Sequence, residues 1–530
     1  LEERLLLSNM TRFARGRDID GDLWTLRMIG PGEFKVINQP NAASGTDPAP
    51  LGQLASIDQI ILGGAAPGDT RLIGKVRKAP TGDGRVFFAS LKELGGTVTT
   101  SQSPFSFGGY SAQDPTFLGP LAIDMPDFWL GQTSTSATAA DPSIQIPDGL
   151  VTLRFGGADV TYTPPGGTPL ANNNKADTFT INLGIPKTRG TSIIARHFVS
   201  NAHRGTTGTQ VFQDSITISV AGRINLFQAD SIQGNGNFPT TGFVGDGGTI
   251  VISRQDAATT VTGQIGNVRI GNDATNFGVQ TNDKISNFYI GGETSNVLVL
   301  APEIIRNSFF GRGMDTVTMY TGHIETLQAN RGALSSEVTT KRGIRRTTFG
   351  GDVVDTTIGS GYRMDLQQAF QTQSAPDPIQ AQEGGRMDYV LVAGDVKDSV
   401  FAVGVEPFEG DYASPYALTI RGGYIHAKVE GTIDNAMIQP DAPGVAFFAA
   451  TTNVISGPVN PPSVVEPPFP YPGASPRGPR VVKHLQRTRP RTPRPIHVRT
   501  MPAASSTRLA APGWVNPGET TGAADSTEQA

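Results

Sequence analysis

Carboxylates at repeat spacing are the residues of this chain best suited to chemistry. Asp315 and Asp355 stand in the phrases GRGMD and GGDVVD, two repeats apart, with Arg312 and Asp352 close by. If successive repeats stack about 4.8 Å apart, the two acids lie in one turn column, on the order of 10 Å from one another. That is the outer limit for inverting glycoside hydrolysis, in which one carboxylic acid protonates the leaving oxygen and the other carboxylate activates water. On the plainer reading each Asp sits beside Gly, ends a strand and solvates a corner. The plainer reading is preferred, since no patterned partner accompanies either acid.

Other catalytic chemistry finds little support. His197 and His203 fall in RHFVSNAHR with no Glu at metalloprotease spacing, and they are expected at the surface. There is no phosphate-cradling GxxxxGK[ST] loop, no GxSxG nucleophile turn and no Gly-Asp nonapeptide array, and GDGGT at Gly245 is too short for a metal loop. With no Cys in the chain, thiolate metal sites, Cys nucleophiles and disulfides are excluded together. No cofactor is expected.

A second charged feature lies near the C-terminus, where Arg477, Arg480, Lys483, Arg487, Arg489, Arg491, Arg494 and Arg499 are spaced by Pro and Thr. The formal net charge of −4 gives no global field that would draw nucleic acid, so no specific nucleic-acid partner is expected and any electrostatic role is local. The basic run is expected to hold an anionic polysaccharide, a cell-wall surface or a membrane surface. The alternative is a solvated linker kept extended by its own charge.

These residues depend on a scaffold, and the scaffold is written as a repeat. GQIGNVRIG, DKISNFYIGG, EIIRNSFFG, GHIETLQAN and RGIRRTTFGG place Ile265, Ile285, Ile305, Ile324 and Ile344 about 20 residues apart. Each phrase alternates apolar with polar or small residues and most close on Gly, the pattern of a short strand and a turn. A second strand follows at the same spacing: NFGVQ, NVLVLA, TVTMY, SEVTT and TTIGS. With 64 Gly, 39 Pro and only 17% charged residues, two helices per repeat are excluded. Antiparallel hairpins would need Asn-Gly or Asp-Gly turns between equal strands, whereas identical phase in successive repeats favours parallel stacking.

The expected fold is therefore all-β, a single-stranded parallel β-helix or β-solenoid, right-handed by the general preference for such connections. Its isoleucines form an internal ladder, and Phe288 and Phe309 share the next column and stack. Asn267, Asn287 and Asn307, replaced by Thr326 and Arg346 in later turns, form a column that is read as left-handed turn residues stacking as a ladder, the alternative being a polar binding line. VAGDVKDSV around Val396 and VEGTIDNAM around Ile433 match VTGQIGNVR, so the repeat resumes there after a loop.

Residues 1–55 are expected to be an N-terminal segment and cap, with Trp24 covering the open end. Residues 56–456 form the solenoid, beginning with SIDQIILGG, TRLIGKV and GRVFFASL. Lateral insertions occupy about 97–148 and 361–386, the second with DLQQAFQTQ as a short helix. Residues 457–530 form a disordered Pro/Arg-rich tail, because Pro at that density cannot enter a ladder. No stretch approaches the ~18 to 20 consecutive apolar residues of a spanning helix, so no transmembrane segment is expected.

The opening LEERLLLS resembles the Leu-Glu-x-Arg-x-Leu-Leu-Ser segment near the N-termini of large exported proteins of planctomycete bacteria. KISNFYIGGETSNVLVLAP and GRGMDTVTMYTGHIETLQANRGAL, with FGGADVTYTPPGGTPL and VAGRINLFQA, are similar to a β-helical family of those organisms for which no activity is known. The resemblance implies export to the cell surface or extracellular space, with a secretion signal upstream of Leu1, and supplies no catalytic residues. The functional expectation is an exported structural or adhesive element without catalysis. The rival is a polysaccharide lyase or glycoside hydrolase of the pectate-lyase-like β-helix type.

Overall fold

The computed structural model describes residues 11–38, 56–63, 70–93, 122–133, 141–147, 149–162, 177–184, 190–204, 211–234, 248–254, 263–364, 378–381, 385–403, 405–406, 418–419, 424–434 and 437–440. Every regular element among them is a strand, and most of these strands join one long sheet. Its pairing is parallel except at the N-terminal end. There Phe13–Arg17 lies antiparallel to Leu23–Ile29, Leu23–Ile29 to Arg71–Arg77, and Glu33–Asn38 to Ile57–Gly63. Trp24 is buried in that antiparallel layer beneath Gly16, where an added Cβ would fall 2.5 Å from the indole.

Beyond that layer the sheet runs as two long columns of parallel strands. In the first, Ile224, Ile265, Ile285, Ile305, Ile324 and Ile344 pair in register, continued by Met387 and Ile425. All eight side chains are at most 1% exposed. The expected isoleucine ladder is thus present and longer than the phrases that revealed it. Burying one such side chain is worth about 1.5–3 kcal/mol, and the ladder repeats that gain at every step. The second column runs from Ile57–Gly63 and Val86–Glu93 through Ala274–Thr281 and Thr294–Ala301 to Thr357–Ser360 and Met437–Pro440. The strands Val317–Ala329 and Glu337–Phe349 contribute to both columns. Inside, Phe155 meets Phe198 edge-on and Phe198, Phe227 and Phe277 stack in succession, with ring centroids 5.7–6.0 Å apart.

Several expectations require correction. Phe288 pairs with Ser308, and it is Tyr289 that pairs with Phe309, their rings 5.1 Å apart and parallel on the outer face. The inward partner of Phe288 is Phe310, at 5.7 Å. A one-residue slip exchanges the two faces of a strand, and the consecutive aromatics of SFF conceal it. Asn267, Asn287 and Asn307 do form a ladder, with amide bonds of 2.7 and 2.8 Å, but they lie within strands. The left-handed backbone belongs to another column: Asn276 (φ 51°), Asn296 (56°), Thr316 (51°), Ser335 (44°), Asp355 (48°) and Asp398 (48°). Asn tolerates that conformation, and there Asn296 donates to Asn276 Oδ1 at 2.6 Å.

Val396 and Ile433 do not continue the isoleucine ladder. Val396 pairs with Val353 and Ile433 with Val396, in a separate five-stranded parallel sheet of two-residue strands that also holds Met314–Asp315, Ala333–Leu334 and Val353–Val354. The shared phrase marks a short apolar step after Gly, which both parts of the repeat contain. Within the expected first insertion, Ala122–Leu130 and Ser143–Ile146 are strands of the main sheet. Pro126 disguises the former: it cannot donate to the ladder, and the register shifts between Met125 and Trp129. In the second expected insertion, Tyr362–Met364 pairs antiparallel with Pro378–Ala381, while the helix expected at DLQQAFQTQ lies outside the described residues.

Hydroxyls close the corner that follows the left-handed residues. Ser336 Oγ donates to the Leu334 carbonyl at 2.8 Å and accepts the Val317 amide at 3.1 Å. Thr356 bonds to Val354 and Ser336 in the same way, and Ser399 to Lys397 and Thr356. Ser336→Ala leaves the buried Val317 amide without its acceptor and is expected to cost about 1–3 kcal/mol in chemical denaturation. Ser336→Thr reproduces Thr356 and should cost far less. Equal losses for the two substitutions would show that the hydroxyl is not what holds this corner.

Candidate functional site

A concavity lies along the sheet of two-residue strands. It has a volume of about 350 Å³ and is lined by Glu293, Arg312, Asp315, Arg331, Leu334 and Asp352, among others. Each strand here alternates an inward residue (Met314, Ala333, Val353, Val396) with an outward one. Gly313 (φ 114°) and Gly332 (φ 104°) start two of these strands, and a Cβ at Gly332 would fall 1.9 Å from the Asp352 carbonyl oxygen. The chain therefore turns twice within a few residues, which sets side chains from neighbouring repeats side by side.

Arg312, Asp315 and Asp352 are brought together in this groove, while Asp355 is not part of its lining. The register explains the separation. Asp315 aligns with Leu334, Val354, Lys397 and Asp434, whereas Asp355 follows Val354 in the left-handed column. Asp315 and Asp355 thus do not share the one column that the sequence spacing implies.

The acids are also engaged locally. Asp315 Oδ1 accepts the Thr316 hydroxyl at 2.9 Å, Asp355 Oδ2 the Ser335 hydroxyl at 3.0 Å, and Asp352 Oδ1 the Asp395 amide at 2.9 Å. Asp395 repeats the last bond on Thr432 at 2.6 Å, and that amide holds its carboxyl below the ordinary range. Arg312 pairs with Glu293 at 3.0 Å, both exposed, so the pair contributes little to stability. Among the described residues no ion pair engages Arg331. The groove offers a guanidinium beside Leu334, which is 46% exposed, and carboxylates already committed to neighbours.

His197 is not a loose surface residue. It is half-buried, stacks on Trp129 with ring centroids 5.9 Å apart, and its Nδ1 lies 2.8 Å from Ser231 Oγ. Burial moves its pKa below the usual imidazole value. Arg477, Arg480, Lys483, Arg487, Arg489, Arg491, Arg494, Arg499 and the whole expected tail lie outside the described residues.

The sequence reading passed over the acids of DIDGD, in the turn between the first two strands. Asp18, Asp20 and Asp22 place one oxygen each within 4.8 Å of one another. Asp22 is fully buried and accepts the Ala79 and Gly84 amides, both at 2.5 Å. Asp20 Oδ2 accepts Asp83 N at 2.9 Å, and Asp18 Oδ1 accepts Asp22 N at 2.8 Å. Burial first, then the adjacent Asp20, push Asp18 up to about 8. Burial also raises Asp20, but hydrogen bonds, from Asp18 foremost, outweigh it and leave Asp20 lowered. The pair thus keeps its proton on Asp18. The alternation of acids around a Gly is the signal that could have revealed this cluster.

No protein-family model, no curated protein and no solved structure matches the chain.

An acid with a raised folded-state pKa holds a proton that the unfolded chain releases at lower pH. The contribution of Asp18 is therefore fully present below about 4, falls as pH rises, and levels off above about 8. Asp18→Asn should flatten that slope in urea denaturation and leave the protein more stable than wild type at pH 9. A wild-type stability that rises between pH 5 and 8, with no benefit from Asn, would refute the assignment.

Proposed function

We propose that the chain is a coiled parallel β-solenoid that serves as an exported structural or adhesive element of the cell surface or extracellular matrix, and that it does not catalyse a reaction. The observation that carries this reading is the engagement of the candidate acids. Asp315, Asp352 and Asp355 each accept a hydrogen bond from a neighbouring residue of the repeat, which is the work of corner residues. The constant register of the isoleucine ladder supports the coil, since one strand per step along each column is what a solenoid requires. In this reading residues 1–55 supply the cap, 56–456 the solenoid and 457–530 a tail whose basic run grips an anionic polysaccharide or cell-wall surface. Right-handed coiling and kinship with planctomycete surface proteins belong to the same proposal.

One observation favours the rival reading, a polysaccharide lyase or glycoside hydrolase: the groove gathers Arg312, Asp315, Arg331 and Asp352 on an open face. A rigid repeated face suits multivalent contact with a polymer, and such a groove gives it one polar subsite. A screen of acidic and neutral glycans for both turnover and binding separates the two. The structural reading predicts no turnover, and at most weak glycan binding that Arg331→Ala reduces. Turnover abolished by Asp315→Asn or Asp352→Asn would establish the enzyme instead.

A further inference from the structure

The three strands at the N-terminal end carry two different faces. FARGR, LWTLRMI and RLIGKVR each alternate, and Trp24, Leu26, Met28 and Leu72 point into the core. The registers place the remaining residues together on the outer side. Arg15 lies beside Thr25 and Lys75, Arg17 beside Leu23 and Arg77, Phe13 beside Arg27 and Ile73, and Ile29 beside Arg71. Six cations thus share one patch of three adjacent strands, and among the described residues none of them lies in an ion pair. The acid at the margin, Asp124, faces Arg154 at 3.6 Å. In the turn of the hairpin Asp18 and Asp22 are buried, and the half-buried Asp20 accepts the Asp83 amide.

The patch is also apolar. Phe13 is 54% exposed, Ile29 40% and Leu23 37%, and these are three of the five exposed large apolar side chains among the described residues. A solvated sheet face requires neither uncompensated cations nor exposed Phe, Leu and Ile. An anionic polysaccharide or a nucleic acid would satisfy the cations and leave the apolar side chains in water. A bilayer with anionic headgroups satisfies both, because phosphates meet the Arg and Lys heads while the apolar side chains enter the acyl boundary.

We propose that the outer face of Phe13–Arg17, Leu23–Ile29 and Arg71–Arg77 docks on an anionic phospholipid surface. The attachment is peripheral and reversible, and it is separate from the groove and from the basic tail. Each cation near such a surface contributes roughly fivefold in affinity, so reversal of three costs on the order of 100-fold or more.

The test is co-sedimentation of the full chain with phosphatidylcholine vesicles containing about a third phosphatidylglycerol, at low and high salt. The expected result is binding that is lost in pure phosphatidylcholine, weakened by salt, and weakened on the order of 100-fold by Arg27→Glu, Lys75→Glu and Arg77→Glu combined. Phe13→Ser, Leu23→Ser and Ile29→Ser combined should weaken it as well. Charge reversal at Arg306 and Arg345, exposed outside this patch, should leave it unchanged. A gain-of-signal variant does not depend on loss of binding: Phe13→Trp should show a blue-shifted emission with the anionic vesicles, and none with soluble alginate or duplex DNA. Vesicle binding that survives both triple substitutions, as it would if the tail carried it, overturns the proposal. So does alginate or DNA binding that the charge reversals abolish while anionic vesicles are not bound.

Discussion

In-register parallel stacking makes every position of the repeat answer to the same position one step away. A side chain that fits at Ile285 must fit between Ile265 and Ile305, and a backbone amide left over at Val317 must find its acceptor on Ser336 of the next repeat. The consequence is segregation into columns: apolar ladders inside, an Asn ladder outside, a left-handed residue at one corner and a hydroxyl after it. Each column repeats a small gain many times, and no single contact dominates. The same constraint governs chemistry. A carboxylate at a corner is drawn into the bonding of that corner, as Asp352 and Asp395 are when each accepts the amide stacked upon it.

What the sequence reveals follows from that constraint. Isoleucines at a fixed spacing can be recognised because the inner column tolerates few other shapes, and Met387 and Ile425 were missed because a loop changed the spacing and Met changed the letter. Strand phase was harder. Phe309 and Phe310 are both aromatic, so composition alone does not tell which one faces inward, and the same one-residue ambiguity placed Asp315 and Asp355 in a common column. Pro126 hid a sheet strand because proline is read as a break, although a bulge accommodates it. The candidate groove was half readable: Arg312, Asp315 and Asp352 meet there as their spacing implied, but Arg331 and Leu334 enter only through the register. The acids of DIDGD are legible as a local alternation around a Gly, but their bonding to Ala79 and Gly84, and the outer face that Arg71–Arg77 completes beside the first hairpin, depend on contacts across long sequence separations.

Two kinds of charge are thereby distinguished in one molecule. The aspartates of the groove and of the DIDGD turn accept hydrogen bonds from their own surroundings, and they hold corners and a hairpin. Among the described residues the cations of the first strands enter no ion pair, and they lie beside the exposed Phe13, Leu23 and Ile29. A scaffold that repeats its interior can differ on its faces at little cost, because most outward positions are free of the apolar ladder. Recognition in this protein is therefore sought on the faces and at the end of the stack.

The central claim is that the 20-residue register holds strand upon strand, and the absence of cysteine allows it to be tested directly. Asn287 and Asn307 are exposed partners on adjacent parallel strands, within the separation a disulfide spans. Oxidation of the Asn287→Cys/Asn307→Cys variant should give an intramolecular disulfide in high yield, detected by mass spectrometry. The off-register pair Asn287→Cys/Phe309→Cys, displaced along the strand beyond disulfide reach, should give little. A disulfide that forms preferentially in the off-register pair, or in neither, would contradict the stacking on which the account depends.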